Sequence, residues 1–416
     1  MKILSVNKYH KIVGGADRYA LNLTNLLRQH GHKVAFLAPS YPDDLPAEYP
    51  LYGFRAGLTS GTWMNASWFR ALRAYVDGIY NLAAASAMKR AIEDFRPDIV
   101  HCHNLFYQVS PAVIQVARRH AIPVVQTLHD YQVVCASNTL FARGQICEQC
   151  RRTLLNILKQ RCYNNSLAAS WLAFSAKIAH TATGLYPLGV DHYIAPSRFV
   201  INEIASFGLT GMPPISHVPH FIAVQDIEPD YTPGDYILYH GGFIKYKGID
   251  TLLEAIRIAR YPLILAGRGP YEEAVRAKVA DFGLTNVQIV GFKSGLELDT
   301  LIRNARVVVV PSQVYETFGL VVIEAYACGK PVIAADIGGL PELVDEEVGA
   351  LFPPGDADAL ATAIDACANN QDRLRQMGRA ARERVIRNHS PEVHYARLLN
   401  IYEKLLTSRN PAGPSS

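Results

Sequence analysis

The chain has 416 residues, is 49% hydrophobic and 19% charged, and carries a formal net charge of +4 with a pI near 8.6. Such a length exceeds one comfortable core and predicts two domains of roughly 150–200 residues each. So mild a basic excess excludes a dedicated nucleic-acid binder while permitting contact with anionic lipid or a diphosphate.

In chain order, Lys2–Val6 reads as a short buried strand. A loop with Gly14 and Gly15 follows, then apolar residues Ala16, Ala20, Leu23 and Leu27 at helical spacing, closed by Gly31. The apolar start is too short for a signal peptide, with Tyr9-His10-Lys11 close behind it. Further strands are predicted at Lys33–Ala38, Asp98–His101 and Pro123–Thr127, with a helix between the last two. That alternation predicts a parallel α/β domain. The segment from Cys135 to about Tyr193 breaks the rhythm and reads as an insertion.

A Pro-rich, weakly periodic stretch from Met212 to Pro233 separates the halves. Beyond it strands are predicted at Tyr236–His240, Pro262–Ala266, Val287–Val290, Val307–Val310, Pro331–Ala335 and Ala350–Phe352. The helices Ile249–Ala259, Tyr271–Phe282, Leu296–Ala305 and Phe318–Cys328 fall between them, giving a second doubly wound sheet. Helices near Arg373–Arg387 and Val393–Leu406 close the chain, before a tail from Asn410 expected to be disordered. The expected division is 1–218, with the insertion at about 135–190, then 219–388, then a final helix over 389–416 packing back on the first domain.

The segment Tyr315–Glu324 carries the strongest chemistry. It follows the strand ending at Val310-Pro311-Ser312, so Glu316 falls beyond a carboxyl end, where open α/β sheets bind ligands. Gly319 permits close backbone approach. The helix expected from Phe318 aims free N–H groups at the loop, which favours a phosphate. Glu324, about two turns on, is a carboxylate able to accept both hydroxyls of a ribose. Two glutamates at this spacing alone would be ordinary surface charges.

In its full context the segment resembles the Glu-x7-Glu motif of glycosyltransferase family 4. Gly14–Tyr19, Asp98–His103, Ile194–Ser197, Gly267–Pro270 and Pro341–Val344 resemble other stretches of that family, so the resemblance spans most of the chain. It implies the GT-B fold, two facing Rossmann-like α/β domains with a deep cleft, and retaining transfer of a hexose from a nucleotide diphosphate sugar. It further implies Glu324 on the ribose, Glu316 against the hexose, and the backbone at Thr317, Phe318, Gly319 and Leu320 on sugar and diphosphate. Gly14, Gly15, Gly291 and Phe292 complete the donor pocket. Lys247 matches the family lysine that neutralises the diphosphate as charge grows on the leaving oxygen. His129 matches a histidine that faces the hexose from across the cleft.

Two departures stand out. Gly242 occupies the place of the usual diphosphate-binding arginine, with Lys245 or Arg268 as candidates to compensate. Pro219–Ala223 differs from the usual hinge sequence. His101 and His103 share one strand face, and lining the cleft or packing are equal readings. Catalysis on this reading needs no metal, and Asp356-Ala357-Asp358 reads as a helix N-cap and first-turn acid rather than a manganese motif.

Seven cysteines in a long chain without a leader do not suggest a disulfide framework. Cys135, Cys147, Cys150 and Cys162 supply C-x11-C-x2-C-x11-C, a donor set for structural zinc. Disulfides, free thiols and an iron–sulfur cluster are the alternatives. Cys102, Cys328 and Cys367 read as buried and inert. The run Leu167–Phe174 with Lys177 reads either as a membrane-surface contact or as packing.

The expected function is hexose transfer, UDP ranked ahead of GDP, to a glycan or lipid-linked acceptor in cell-surface polysaccharide synthesis. The expected place is the cytoplasm, with peripheral contact at the inner face of the plasma membrane. The rival readings are a non-catalytic nucleotide-sugar binding subunit, and a phosphorylase or epimerase on the same fold.

Overall fold

The structure is a computed structural model and describes residues 1–55, 68–163 and 165–409. The tail expected from Asn410 lies outside the described residues. Two parallel sheets dominate. The first holds β1 (Lys2–Val6), β2 (Lys33–Ser40), β3 (Leu51–Arg55), β4 (Ile99–Cys102), β5 (Val124–Thr127), β6 (His192–Ala195) and β7 (Ile215–His217). Their order is β3-β2-β1-β4-β5-β6-β7, seven strands among the described residues. The second holds β8 (Tyr236–Gly242), β9 (Leu263–Arg268), β10 (Val287–Gly291), β11 (Ala305–Val310), β12 (Val332–Ala335) and β13 (Gly349–Phe352), ordered β10-β9-β8-β11-β12-β13.

The strands are short apolar runs because helices cover both faces of each sheet. In β4 and β5 every residue is buried, and β11 is buried but for Arg306. Parallel neighbours need long crossovers, which the helices supply. Strand order reverses beside β1 in the first sheet and between β8 and β11 in the second. The loops leaving β1, β8 and β11 therefore open at the switch points, where doubly wound sheets take ligands.

Most predicted elements recur with ends moved by a residue or two. Two differences are larger. The Pro-rich stretch is not merely a linker: Ile215–His217 within it pairs with β6 as the last strand of the first sheet. Proline before an edge strand costs no ladder bond, so Pro213-Pro214 masks this strand in the sequence. Between β3 and β4 the chain also forms helices Trp68–Ile79 and Leu82–Phe95, the second capped by Asn81.

The helix Gln371–His389 packs Ala381 and Val385 into the core of the second sheet. The helix Pro391–Arg409 crosses back and buries Leu398, Ile401 and Tyr402 against Ile3, Tyr19 and Leu23 of the first. Burial of each such side chain is worth roughly 1.5–3 kcal/mol. The strand-to-strand crossing at Pro219–Ile222 is tied to these helices, since Ile222 N–H donates to the His389 carbonyl at 3.0 Å.

The insertion carries a two-stranded hairpin, Phe141–Ala142 with Gln145–Ile146, and the helix Leu167–Ala182. Leu167 and Trp171 are exposed on that helix, whereas Ala173 and Ala176 are buried. Lys177 does not join the exposed face. Its Nζ turns inward and donates to the carbonyls of Gln132 and Val133 at 3.1 and 2.8 Å. Among the described residues no helix is long and apolar enough to cross a membrane.

Candidate active site

A cavity of about 460 Å³ lies between the two sheets. From the first domain it takes the Gly14-Gly15 loop, Arg18 and His129. From the second it takes Gly242, Lys247, Arg268, Phe292 and the loop through Glu316 to Glu324. Gly291 stops short of it, ending β10 in a left-handed turn at φ +73°, and Lys245 does not line it either. Of the two candidates to replace the missing arginine, only Arg268 reaches the wall, with its guanidinium 4.6 Å from the Phe292 ring centroid.

The Gly14-Gly15 turn is set by Asp17, whose carboxylate accepts from Gly14 N–H at 3.1 Å and from Asn7 Nδ2 at 3.0 Å. The helix Gly15–Gln29 thus starts at the cavity rim. A Cβ on Gly15 would sit 2.8 Å from Leu320 Cδ1, so the two domains meet closely here. The helix that follows the Glu316 loop begins at Leu320, two residues later than the spacing predicts. Gly319 caps it at φ +120°, a conformation open to glycine and costly to other residues. The amides of Phe318 and Gly319 therefore belong to the capping turn, not to the first helical turn.

Lys247 Nζ donates to Glu316 Oε1 at 2.7 Å, and the Ser312 hydroxyl donates to the same oxygen. Burial alone would raise the Glu316 carboxyl; the Lys247 ammonium and the two hydrogen bonds outweigh it and hold the group below its usual range. Burial likewise opposes the Lys247 charge, but Glu316 restores it and leaves Lys247 raised. Both are ionised at neutral pH.

Glu324 stands differently. Burial pushes its carboxyl up, against the pull of Arg18. Arg18 Nη1 donates to Glu324 Oε1 from the opposite domain. His240 Nδ1 lies 3.7 Å from Oε2, but burial, with Arg18 adding, takes this imidazole down to about 3, so it is neutral and the contact is no ion pair. Its buried Nε2 has no hydrogen-bond partner among the described residues.

His129 reaches the cavity with Nε2 3.2 Å from His103 Nδ1. Burial, then the neighbouring imidazoles His220 and His101, hold it well below the ordinary histidine value, so it is neutral. His101 and His103 stack at 4.5 Å and do not line the cavity; His101 bonds Tyr402 Oη and Thr127 Oγ1 at 2.6 and 2.8 Å. They form the backing for His129. His220, from the crossing segment, lies tilted against Tyr19 with ring centroids 4.2 Å apart and lines the cavity. Arg18, His220, His240 and Ser312 are the site residues that sequence reasoning left without a role. Arg18 lay inside the motif Gly14–Tyr19, and its position one helical turn past Gly14-Gly15 was the available signal.

The four insertion cysteines are neighbours. Burial pushes the Cys150 thiol up to about 12, with Cys135, Cys162 and Cys147 adding to the effect. All four are free thiols in this structure. The donor set suits zinc, yet among the described residues no three His, Cys, Asp or Glu side chains are gathered at metal-ligand geometry. Cys102, Cys328 and Cys367 are buried. Asp356 is a helix N-cap, its Oδ1 accepting from Ala359 N–H at 2.9 Å.

Two facing parallel α/β domains with the cleft at both switch points define the GT-B fold of glycosyltransferases. Sequence families divide the chain in the same way: the model described as Glycosyltransferase Family 4 matches residues 13–226, and Glycosyl transferases group 1 matches 225–384. The chain belongs to glycosyltransferase family 4. An uncharacterized glycosyltransferase of Methanocaldococcus jannaschii is 33% identical, covering 92% of this chain and 93% of that protein. The phosphatidyl-myo-inositol mannosyltransferase of Mycobacterium leprae is 26% identical over 95% of each. O-antigen chain mannosyltransferase C of Escherichia coli is 31% identical, but the match spans only about half (49%) of that protein. Among solved structures, sucrose-phosphate synthase from Thermosynechococcus elongatus superposes with TM-score 0.75 at 21% identity, covering 98% and 99% of the chains. Anabaena HepE in complex with UDP and glucose gives 0.68 at 17%, covering 97% and 99%.

Proposed function

We propose that this glycosyltransferase moves a hexose, with retention at the anomeric carbon, from a nucleotide diphosphate donor to a glycan or lipid-linked acceptor. The observation that carries the reading is the Lys247–Glu316 pair at 2.7 Å, set beside the capped helix N-terminus inside the interdomain cavity. As the C1–O bond breaks, its electron pair passes to the β-phosphate. The Lys247 ammonium and the amides at Phe318–Leu320 meet that charge, and fixed charges in a water-poor site do so at no reorganisation cost. The acceptor oxygen bonds C1 on the same face, and its proton leaves with the diphosphate. Glu316 and neutral His129 face the hexose from opposite domains. Glu324 takes the ribose hydroxyls, exchanging Arg18 for them in part.

These roles need no catalytic metal. Residues 1–218 serve as the acceptor-side domain and 219–388 as the donor domain. UDP is the proposed carrier, supported by the UDP bound to the Anabaena neighbour. Cell-surface polysaccharide synthesis at the inner face of the plasma membrane is the proposed setting. The mannosyltransferase relatives support it, as do the exposed Leu167 and Trp171. A structural zinc held by Cys135, Cys147, Cys150 and Cys162 rests on their spacing in the sequence alone; metal analysis of purified protein showing no bound zinc removes it.

The test is single turnover with a panel of nucleotide sugars and acceptors. Transfer from a UDP-hexose is expected. Tight donor binding without transfer to any acceptor would leave only the binding-subunit reading.

A further inference from the structure

The cysteine insertion reaches across the cleft and touches both loops that carry the Lys247–Glu316 pair. Tyr315, the residue before Glu316, donates its hydroxyl to Glu148 Oε1 at 2.8 Å. Glu148 sits between Cys147 and Cys150. Its other oxygen, Oε2, forms an ion pair with Arg151 Nη1 at 2.6 Å, so both oxygens have partners. Arg151 Nη2 in turn donates to both oxygens of Glu203 at 2.8 Å, on the helix Arg198–Ala205 of the first domain. The Tyr315 ring meets Phe199 of that helix edge-on at 4.9 Å. The second bridge is aromatic. Phe141, in the insertion hairpin, lies 5.6 Å from Tyr246, the residue before Lys247. The two bridged loops are themselves joined, because Gln313 N–H donates to the Tyr246 carbonyl at 2.8 Å.

We propose that the insertion is a strut that positions the catalytic pair, with Glu148 and Tyr315 as its positioning residues and Phe141 against Tyr246 as its second foot. This rests on the transfer function proposed above. A plain domain contact would need neither foot to fall beside a catalytic residue. Here both do, and a chain of charge-assisted bonds anchors one of them to a rigid helix. Neither Glu148 nor Tyr315 lines the cavity, so the strut acts through Glu316 and not on the donor.

Tyr315→Phe keeps the ring against Phe199 and removes only the hydroxyl. It is expected to lower kcat by about tenfold to a hundredfold, the scale of a small misplacement at a reacting centre, with UDP affinity and Tm unchanged. Glu148→Ala should do the same, and the double variant should be no worse than either single, as required of one shared interaction. Glu148→Gln retains an acceptor for Tyr315 and should recover most of the rate. Wild-type kcat in Tyr315→Phe, or additive losses in the double variant, would overturn the proposal. Amide hydrogen exchange supplies a readout free of catalysis. Residues 312–319 should exchange faster in Tyr315→Phe while β1–β5 are unchanged; unchanged exchange at 312–319 would also overturn it. If the wild-type protein transfers no sugar, the functional reading fails while the exchange arm still decides the strut.

Discussion

Arg18 of the first domain and Glu324 of the second form an ion pair across the cleft, 306 residues apart in sequence. The pair occupies the carboxylate that the donor's ribose is proposed to use. On that proposal donor binding is an exchange of partners at Glu324, and Arg18 is a cation that the first domain brings to the wall of the cavity that Gly242 also lines.

The pH dependence of donor binding follows. Burial raises the Glu324 carboxyl and Arg18 pulls it down. Arg18→Met removes the downward pull, so the carboxylate is lost at a higher pH than in the wild type. Calorimetric titration with UDP between about pH 5 and pH 8 should show affinity fading at the higher pH in the variant. Superimposable profiles would detach Arg18 from the site.

Lys247→Met should reduce kcat/KM by about 10²–10³, the usual loss for one preorganised charge at a leaving group. Lys247→Arg should recover only part of it, since a planar fork replaces a compact ammonium. Steady-state kinetics with the active donor decide this. A loss confined to KM would mean that Lys247 binds the ground state alone.

Glu316 predicts an acid-side stability effect. Its carboxyl is depressed in the folded state, against the opposing cost of burial. Such a group stabilises the fold above its unfolded value, near 4.3, and that contribution is lost as pH falls through the folded value. Denaturant unfolding of the wild type should thus show a loss of stability below about pH 5 that Glu316→Gln lacks. The same variant should cost far more in rate than in UDP affinity.

Gly15 tests the domain approach. A valine there would push into Leu320, whose Cδ1 already stands 2.8 Å from an added Cβ. Gly15→Val should lower kcat by about tenfold or more, with the circular dichroism spectrum and Tm preserved. Leu320→Ala in the same chain should restore activity by opening the space.

Much of this was legible in the sequence because it is local. The run Val307–Val310, then Pro311-Ser312, Glu316, Gly319 and Glu324 encodes strand, loop and helix within 18 residues, and periodicity reads that directly. The ion pair of Arg18 with Glu324 is not local, and no spacing rule reports it. The sequence leaves Leu167–Phe174 with Lys177 open between a lipid surface and packing, because no spacing rule reports the two carbonyls inside the insertion that draw the ammonium inward. Ile215–His217 was hidden by the prolines ahead of it. The contact of Tyr315 with Glu148 depends on how an insertion folds over a cleft, which only the tertiary structure reports.

The most direct measurement of the central claim is single-turnover transfer from a UDP-hexose panel, with the anomeric configuration of the product read by NMR. The account predicts transfer with the donor's configuration retained, and a rate that collapses in Lys247→Met and Glu316→Gln. An inverted product, or no transfer from any donor that binds, would contradict it.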